Sequence, residues 1–133
     1  MCVRNVVSIV LVAIAAVLLL ASCTGNSGTK GEYMQITQEE AKNIMDTQTG
    51  YVILDVRTDE EYATGHIPGA ILIPDYEIGK RAESELTDKS QWILVYCRSG
   101  RRSKNASAEL ASLGYTNIKE FGGINDWQYD IVK

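Results

Sequence analysis

Residues 92–103 read Trp-Ile-Leu-Val-Tyr-Cys-Arg-Ser-Gly-Arg-Arg-Ser. The first five residues form an apolar run with the length and composition of a buried strand, which we expect at the centre of a sheet. A polar loop follows, and a helix is predicted over about 103–113, with its apolar residues on one face and Gly114 at its C-terminal stop. The pattern therefore predicts a buried strand, a short loop and a helix in direct succession.

Strands and helices alternate on both sides of this unit. Thr37 with Glu40 and Thr58 with Glu61 have the spacing of capping boxes, which mark the starts of two helices. Such alternation is typical of an α/β domain with a central, mostly parallel five-stranded sheet flanked by helices, and we place this domain at 33–133. The predicted strands cover 33–36, 51–55, 70–73, 92–96 and 118–121; the predicted helices cover 37–46, 58–62, 76–86 and 103–113, with a short helix around Trp127.

The loop after the central strand collects positive charge in an otherwise acidic chain. Four basic residues lie within seven consecutive positions, although the formal net charge of the chain is −4. Ligand sites in open α/β sheets lie at the carboxyl ends of strands, and the backbone N–H groups of a helix start favour an anion. We expect this anion to be the thiolate of Cys97 or a bound oxyanion. The basic residues are Arg98, Arg101, Arg102 and Lys104.

A nucleic-acid site fits this charge pattern poorly. The net charge is negative, the basic cluster is small, and no aromatic residues are interleaved with it. A basic, amide-rich loop instead favours the nucleophilic thiolate form of a cysteine. The alternative is a basic surface turn with an incidental cysteine.

The N-terminal segment is strongly apolar. Residues 6–21 are almost unbroken Val, Ile, Leu and Ala, interrupted only by Ser8 and preceded by Arg4. A short positive region before a brief apolar run predicts a secretory signal, because the run is too short to span a membrane comfortably. An uncleaved N-terminal anchor is the alternative.

The end of this segment, Leu20-Ala21-Ser22-Cys23, resembles the lipobox of bacterial lipoproteins. The resemblance implies that the signal peptide 1–22 is removed and that Cys23 is lipidated and acylated. Residues 23–32 then form a small, polar tether. Two or more acyl chains anchor a protein stably without a transmembrane helix. We therefore expect the domain in the cell envelope, lipid-anchored to a membrane and facing the periplasm or the cell exterior.

The cysteine count makes Cys97 conspicuous. Of the three cysteines, Cys2 would leave with the signal and Cys23 would carry lipid, so Cys97 would remain as a single thiol with no disulfide partner. An unpaired thiol in an exported protein suggests a reactive role. A buried structural cysteine is the alternative.

Three stretches together resemble the signatures of the rhodanese family. Asp55-Val56-Arg57, followed by Glu61-Tyr62 and by Gly-His-Ile-Pro-Gly-Ala at 65–70, is similar to its N-terminal signature. Residues 97–102 are similar to its active-site loop, and Gly122-Gly123 with Trp127 to its C-terminal signature. The likeness runs from about Tyr33 onward and implies the three-layer rhodanese-like fold.

The resemblance also implies a sulfurtransferase mechanism. Cys97, as thiolate, would take the outer sulfur of an anionic donor such as thiosulfate and hold it as a persulfide. Cyanide, a small thiol or a protein thiol would then remove that sulfur. Backbone amides of the loop would hold the persulfide, and its arginines would attract the donor. The expected substrate-binding residues are Arg98, Ser99, Gly100, Arg101 and Arg102.

The remaining signature residues are expected to be structural. His66 would shape the turn before a strand, with a Cys97–His66 dyad as the alternative, and Arg57 would form an ion pair with a residue such as Glu61. Trp127 would anchor the core. We expect no cofactor, no metal site, no nucleic-acid partner and a monomeric protein.

Two other functions compete with sulfur transfer. Cell-cycle phosphatases of the same fold place five residues between the catalytic cysteine and arginine, whereas four residues separate Cys97 from Arg102. A non-catalytic module that binds a partner or senses a sulfur or redox signal is the second alternative.

With no second thiol in the domain, a persulfide on Cys97 would have to be discharged by an external acceptor.

Overall fold

The computed structural model describes residues 31–133. The predicted signal peptide, the predicted lipidation site Cys23 and nearly all of the tether lie outside the described residues. No helix within 31–133 is long and apolar enough to cross a membrane.

A five-stranded sheet forms the centre of the domain, in the order β1-β5-β4-β2-β3, and every neighbouring pair is parallel. The central strand is β4, as predicted, and the α/β prediction is confirmed. The strands are β1 (Met34–Gln35), β2 (Tyr51–Asp55), β3 (Ile71–Leu72), β4 (Trp92–Cys97) and β5 (Ile118–Gly123). The helices are α1 (Gln38–Thr47), α2 (Asp59–Thr64), α3 (Ile78–Glu85) and α4 (Arg101–Ser112), with 3₁₀ turns at Asp75–Glu77 and Ile124–Asp126.

Local sequence signals set the helix boundaries. Both predicted capping boxes are present: the side chains of Thr37 and Thr58 cap α1 and α2, and Glu40 and Glu61 reach back to the cap backbone. Helix α4 begins at Arg101, two residues before the predicted start, because Gly100 adopts a left-handed φ of 108° that turns the chain straight from the loop into the helix.

Two apolar clusters cover the two faces of the sheet, which gives the domain its three layers. Alternate residues of β4 point to opposite faces, so Val95 and Cys97 join one cluster and Leu94 and Tyr96 join the other. Helices α3 and α4 pack on the Cys97 face, while α1 and the partly buried Trp127 pack on the other. Trp127 contacts Phe121 there, with ring centroids 5.7 Å apart.

A buried ion pair lies beneath the end of β2. Arg57 Nη2 is 2.7 Å from Asp55 Oδ2 and also donates to the carbonyl oxygen of Gly65. The Tyr96 hydroxyl donates to the same Asp55 oxygen at 2.7 Å. The predicted ion pair between Arg57 and Glu61 is therefore wrong, because Asp55 occupies the guanidinium and the Glu61 carboxylate bonds to the cap of α2 and to Arg102.

The same network shifts two pKa values. Burial would lower the pKa of Arg57, but the hydrogen bonds and charge of Asp55 outweigh it and raise that pKa. Burial raises the pKa of Tyr96, and the charge of Asp55 raises it further. Arg57 thus stays cationic and Tyr96 neutral.

His66 has structural contacts, as expected. Its ring stacks on Tyr62 with centroids 3.7 Å apart, and Nδ1 lies 3.0 Å from the Tyr62 carbonyl oxygen. Its backbone forms an antiparallel bridge with Val132, which ties down the C-terminal residues.

Candidate active site

Cys97 ends the central strand, directly before the loop that leads into α4. Its side chain is fully buried, as the structural alternative anticipated, but its surroundings are polar on the loop side. The Gly100 N–H donates to Cys97 Sγ at 3.0 Å, and Sγ lies 3.4 Å from the Ser103 hydroxyl oxygen. An amide donor and the first turn of a helix both favour negative charge on the sulfur. Because the sulfur is buried, a reactant can reach it only when the atoms that cover it move aside.

Gly122 and Gly123 hold this loop at close range. A Cβ atom on Gly123 would lie only 2.1 Å from the carbonyl oxygen of Arg98, and one on Gly100 would lie 3.6 Å from the Cα atom of Gly122. The Asn125 N–H also donates to the Arg98 carbonyl at 3.1 Å. Gly123 is required because the backbone of β5 touches the backbone of the loop there, whereas Gly122 is favoured by its left-handed φ of 89°.

The three arginines of the loop have different surroundings. Arg98 and Arg101 are exposed, and neither forms an ion pair within residues 31–133. Arg102 makes two hydrogen bonds to the Glu61 carboxylate, at 2.7 and 2.9 Å. The exposed pair can meet a dissolved anion, whereas Arg102 joins α4 to α2.

The ion pair between Arg102 and Glu61 keeps both groups charged over a wide pH range. Hydrogen bonds from Arg102 lower the pKa of Glu61 from 4.5 to about 2, and those to Glu61 raise the pKa of Arg102. The pair therefore stays ionised well into the acidic range.

An open cleft of about 490 Å³ lies beside the loop. Arg98 lines it on the loop side, so the cleft brings solvent to the cationic edge of the site. Within the described part of the chain, no group of His, Cys, Asp and Glu side chains is arranged to hold a metal ion. The cleft is lined by Arg57, Glu60, Glu61, Thr64, Gly65, Arg98, Ile124, Asn125 and Ile131.

Two residues near Cys97 were missed as site residues. Ser103 is buried at the start of α4, and its hydroxyl donates to Glu120 Oε1 at 2.6 Å. Glu120, on β5, is only 2% exposed and also accepts the Gly122 N–H at 2.9 Å. The available signal was an acidic residue inside a short predicted strand, two positions before the Gly-Gly pair.

Comparison with known proteins finds relatives in sequence and in fold. The model of the Rhodanese-like domain family matches residues 37–130. Thiosulfate sulfurtransferase PspE of Escherichia coli (strain K12) is 40% identical over 80 residues, which cover 60% of this chain and 77% of that protein. Thiosulfate sulfurtransferase 16, chloroplastic, of Arabidopsis thaliana is 37% identical over 89 residues, with 59% of this chain and 74% of that protein covered.

A solved structure described as a rhodanese with anions from E. coli has a similar fold. It aligns with a TM-score of 0.59 and 37% identity, covering 62% of this chain and 98% of that one. These similarities support sulfur transfer in general. The chain, with a parallel five-stranded sheet and a cysteine loop at the end of its central strand, belongs to the rhodanese-like domain family.

Proposed function

We propose that this protein moves a sulfane sulfur from an anionic donor such as thiosulfate to a thiophilic acceptor, cyanide or a thiol, through a persulfide on Cys97. One observation carries the proposal. Cys97, the only cysteine in 33–133, ends the central strand, and the Gly100 N–H of its own loop donates to its sulfur at 3.0 Å. That arrangement favours a thiolate where an anionic substrate is also favoured.

The transfer takes two displacement steps. The Cys97 thiolate attacks the outer sulfur of thiosulfate, a sulfur–sulfur bond forms, and the sulfur–sulfur bond of the donor breaks as sulfite leaves with the electron pair. The acceptor then attacks the outer sulfur of the persulfide, and the Cys97 thiolate leaves. Total charge is conserved in each step. The loop amides stabilise the negative charge on the Cys97 thiolate or on its persulfide.

Several features support an anionic donor. Arg98 and Arg101 are exposed at the loop, and Arg98 also lines the neighbouring cleft. Two relatives are named thiosulfate sulfurtransferases, and a similar solved structure is described as a rhodanese with anions. Four residues between Cys97 and Arg102 argue against the phosphatase alternative.

Replacing Arg98 and Arg101 together by Gln is expected to raise the KM for thiosulfate about fivefold and to change kcat less. Two exposed charges contribute about 1 kcal/mol in total to attraction of an anion, and salt screens that attraction. Thiocyanate formation from thiosulfate and cyanide, followed at low and high ionic strength, measures the effect. Lys80→Gln, at an exposed position on α3, is the matched control and should leave KM unchanged.

An unchanged KM in the double variant would contradict the role of these arginines. If thiosulfate loads no sulfur while another donor does, the choice of donor is wrong but the persulfide route stands.

We further propose that lipidated Cys23 anchors the domain to a membrane, facing the periplasm or the cell exterior. The lipobox-like segment before Cys23 supports this. When the full chain is expressed in a bacterial host, the protein should label with palmitate, and Cys23→Ser should abolish the label. Equal labelling of both proteins would exclude this anchor.

A further inference from the structure

A buried chain of hydrogen bonds runs inward from Cys97. Its Sγ atom lies 3.4 Å from Ser103 Oγ, and Ser103 Oγ lies 2.6 Å from Glu120 Oε1. The three side chains come from β4, α4 and β5, and all three are buried. The thiol is thus one hydroxyl away from a carboxylate.

Glu120 is unusual because it is a buried carboxylate that has no cation against it among residues 31–133. It forms no ion pair within residues 31–133, and its two donors are the Ser103 hydroxyl and the Gly122 N–H. The adjacent Lys119 side chain is turned away, with Nζ 5.1 Å from the ring centroid of Trp92. Buried acidic side chains are ordinarily paired with a cation or lose their charge.

We propose that Glu120 accepts the proton that Cys97 releases on ionising, and that Ser103 passes it on. The S–H bond of Cys97 breaks and its proton moves to Ser103 Oγ, while the Ser103 O–H bond breaks and its proton moves to Glu120 Oε1. The products are a thiolate and a neutral carboxylic acid, so the pair keeps one negative charge throughout. Glu120 is thereby a positioning residue, acting through Ser103. The role of this proton transfer rests on the proposed function, since uptake of sulfur requires the Cys97 thiolate.

The surroundings favour moving the negative charge from Glu120 to Cys97. The sulfur receives the Gly100 amide and lies at the start of α4, within electrostatic reach of Arg102. Gln38, which packs on β5 from α1, is uncharged and donates to the carbonyl oxygens of Phe121 and Gly123. The other charged groups around the loop include Arg98, Arg101 and Lys104, Glu61 paired with Arg102, and Asp75, whose charge also reaches Arg102.

The test compares the wild-type full chain with Glu120→Gln. Glutamine has nearly the same shape and can still accept from Ser103 and Gly122, but it cannot take a proton. The alkylation rate of Cys97 by iodoacetamide, read by mass spectrometry of the peptide that contains Cys97, is measured across pH. We expect the midpoint of the Glu120→Gln profile to move about one pH unit towards alkaline, with a rate about tenfold lower at pH values below both midpoints. The two rates should converge at high pH.

Two further variants separate proton transfer from a structural role. Ser103→Ala removes the hydroxyl between thiol and carboxylate and should shift the profile in the same direction as Glu120→Gln. Because both act on one chain of hydrogen bonds, the double variant should shift little beyond either single one. Ser107→Ala is the matched control: this hydroxyl is also buried on α4 but has no hydrogen-bond partner in the described part of the chain, and its loss should leave the profile unchanged.

Two outcomes would overturn the proposal. An unchanged profile would make Glu120 a purely structural tie, and a shift towards acid would mean that its charge simply opposes the thiolate. Ultraviolet absorbance of the thiolate, corrected with a Cys97→Ser blank, reports the same midpoint independently of access to the sulfur. If Glu120→Gln does not fold, Ser103→Ala decides alone by the same criteria. Alkylation needs no sulfur donor, so the result stands even if sulfur transfer fails.

Discussion

Replacing Cys97 by Ser is expected to lower thiocyanate formation from thiosulfate and cyanide at least about a thousandfold. A serine hydroxyl is not ionised at neutral pH and cannot hold sulfur as a persulfide. No other thiol of the domain can take over, because Cys97 is the only cysteine in 33–133. The fold should survive, since a hydroxyl is close in size to a thiol and can also accept the Gly100 N–H.

The matched control for this prediction is Cys23→Ser, which removes the proposed lipidation site outside the domain and should retain activity in detergent. The urea unfolding midpoints of both variants should match that of the wild type, which separates chemistry from folding. Substantial activity in folded Cys97→Ser would place the sulfur chemistry on another group.

Replacing Asp55 by Ala is expected to lower the free energy of unfolding by about 3–5 kcal/mol. The change removes the counter-charge of Arg57 and the acceptor of the Tyr96 hydroxyl. Arg57 is only 4% exposed, so its guanidinium would stay buried without a partner. Urea denaturation measures the loss. The cost exceeds that of a surface ion pair because water cannot replace the missing carboxylate.

Arg81→Met provides the comparison for Asp55→Ala. Arg81 forms ion pairs with Glu77 and Glu85 on α3, but its side chain is 37% exposed, so its loss should cost less than about 1 kcal/mol. The double variant Asp55→Leu with Arg57→Met should be more stable than the sum of the two single changes predicts. Equal costs for Asp55→Ala and Arg81→Met would show that the buried pair has no special role in stability.

Local signals predicted the centre of the fold well. The apolar run of β4, the two capping boxes and Gly114 all act over a few residues, and the structure confirms them. The edge strands were harder, since β1 and β3 have two paired residues each, where four were predicted. At an edge, the number of paired residues depends on the neighbouring strand and not on the local sequence alone.

The partners of the charged side chains could not be predicted from the sequence. Glu61 pairs with Arg102, 41 positions away, while Arg57 turns back to Asp55, only two positions away. Sequence spacing alone did not show whether Glu61 pairs with Arg57 or with Arg102, because the fold decides which guanidinium is buried. Glu120 escaped notice for the same reason: a polar residue in a short strand is ordinary until the fold places it against Ser103.

The intact mass of the full chain before and after incubation with thiosulfate tests the central claim most directly. We predict a gain of one sulfur atom, lost when cyanide is added and absent from Cys97→Ser. No gain from thiosulfate or from glutathione persulfide would contradict sulfur transfer through Cys97 and would leave a non-catalytic partner-binding or sulfur-sensing module as the function of this fold.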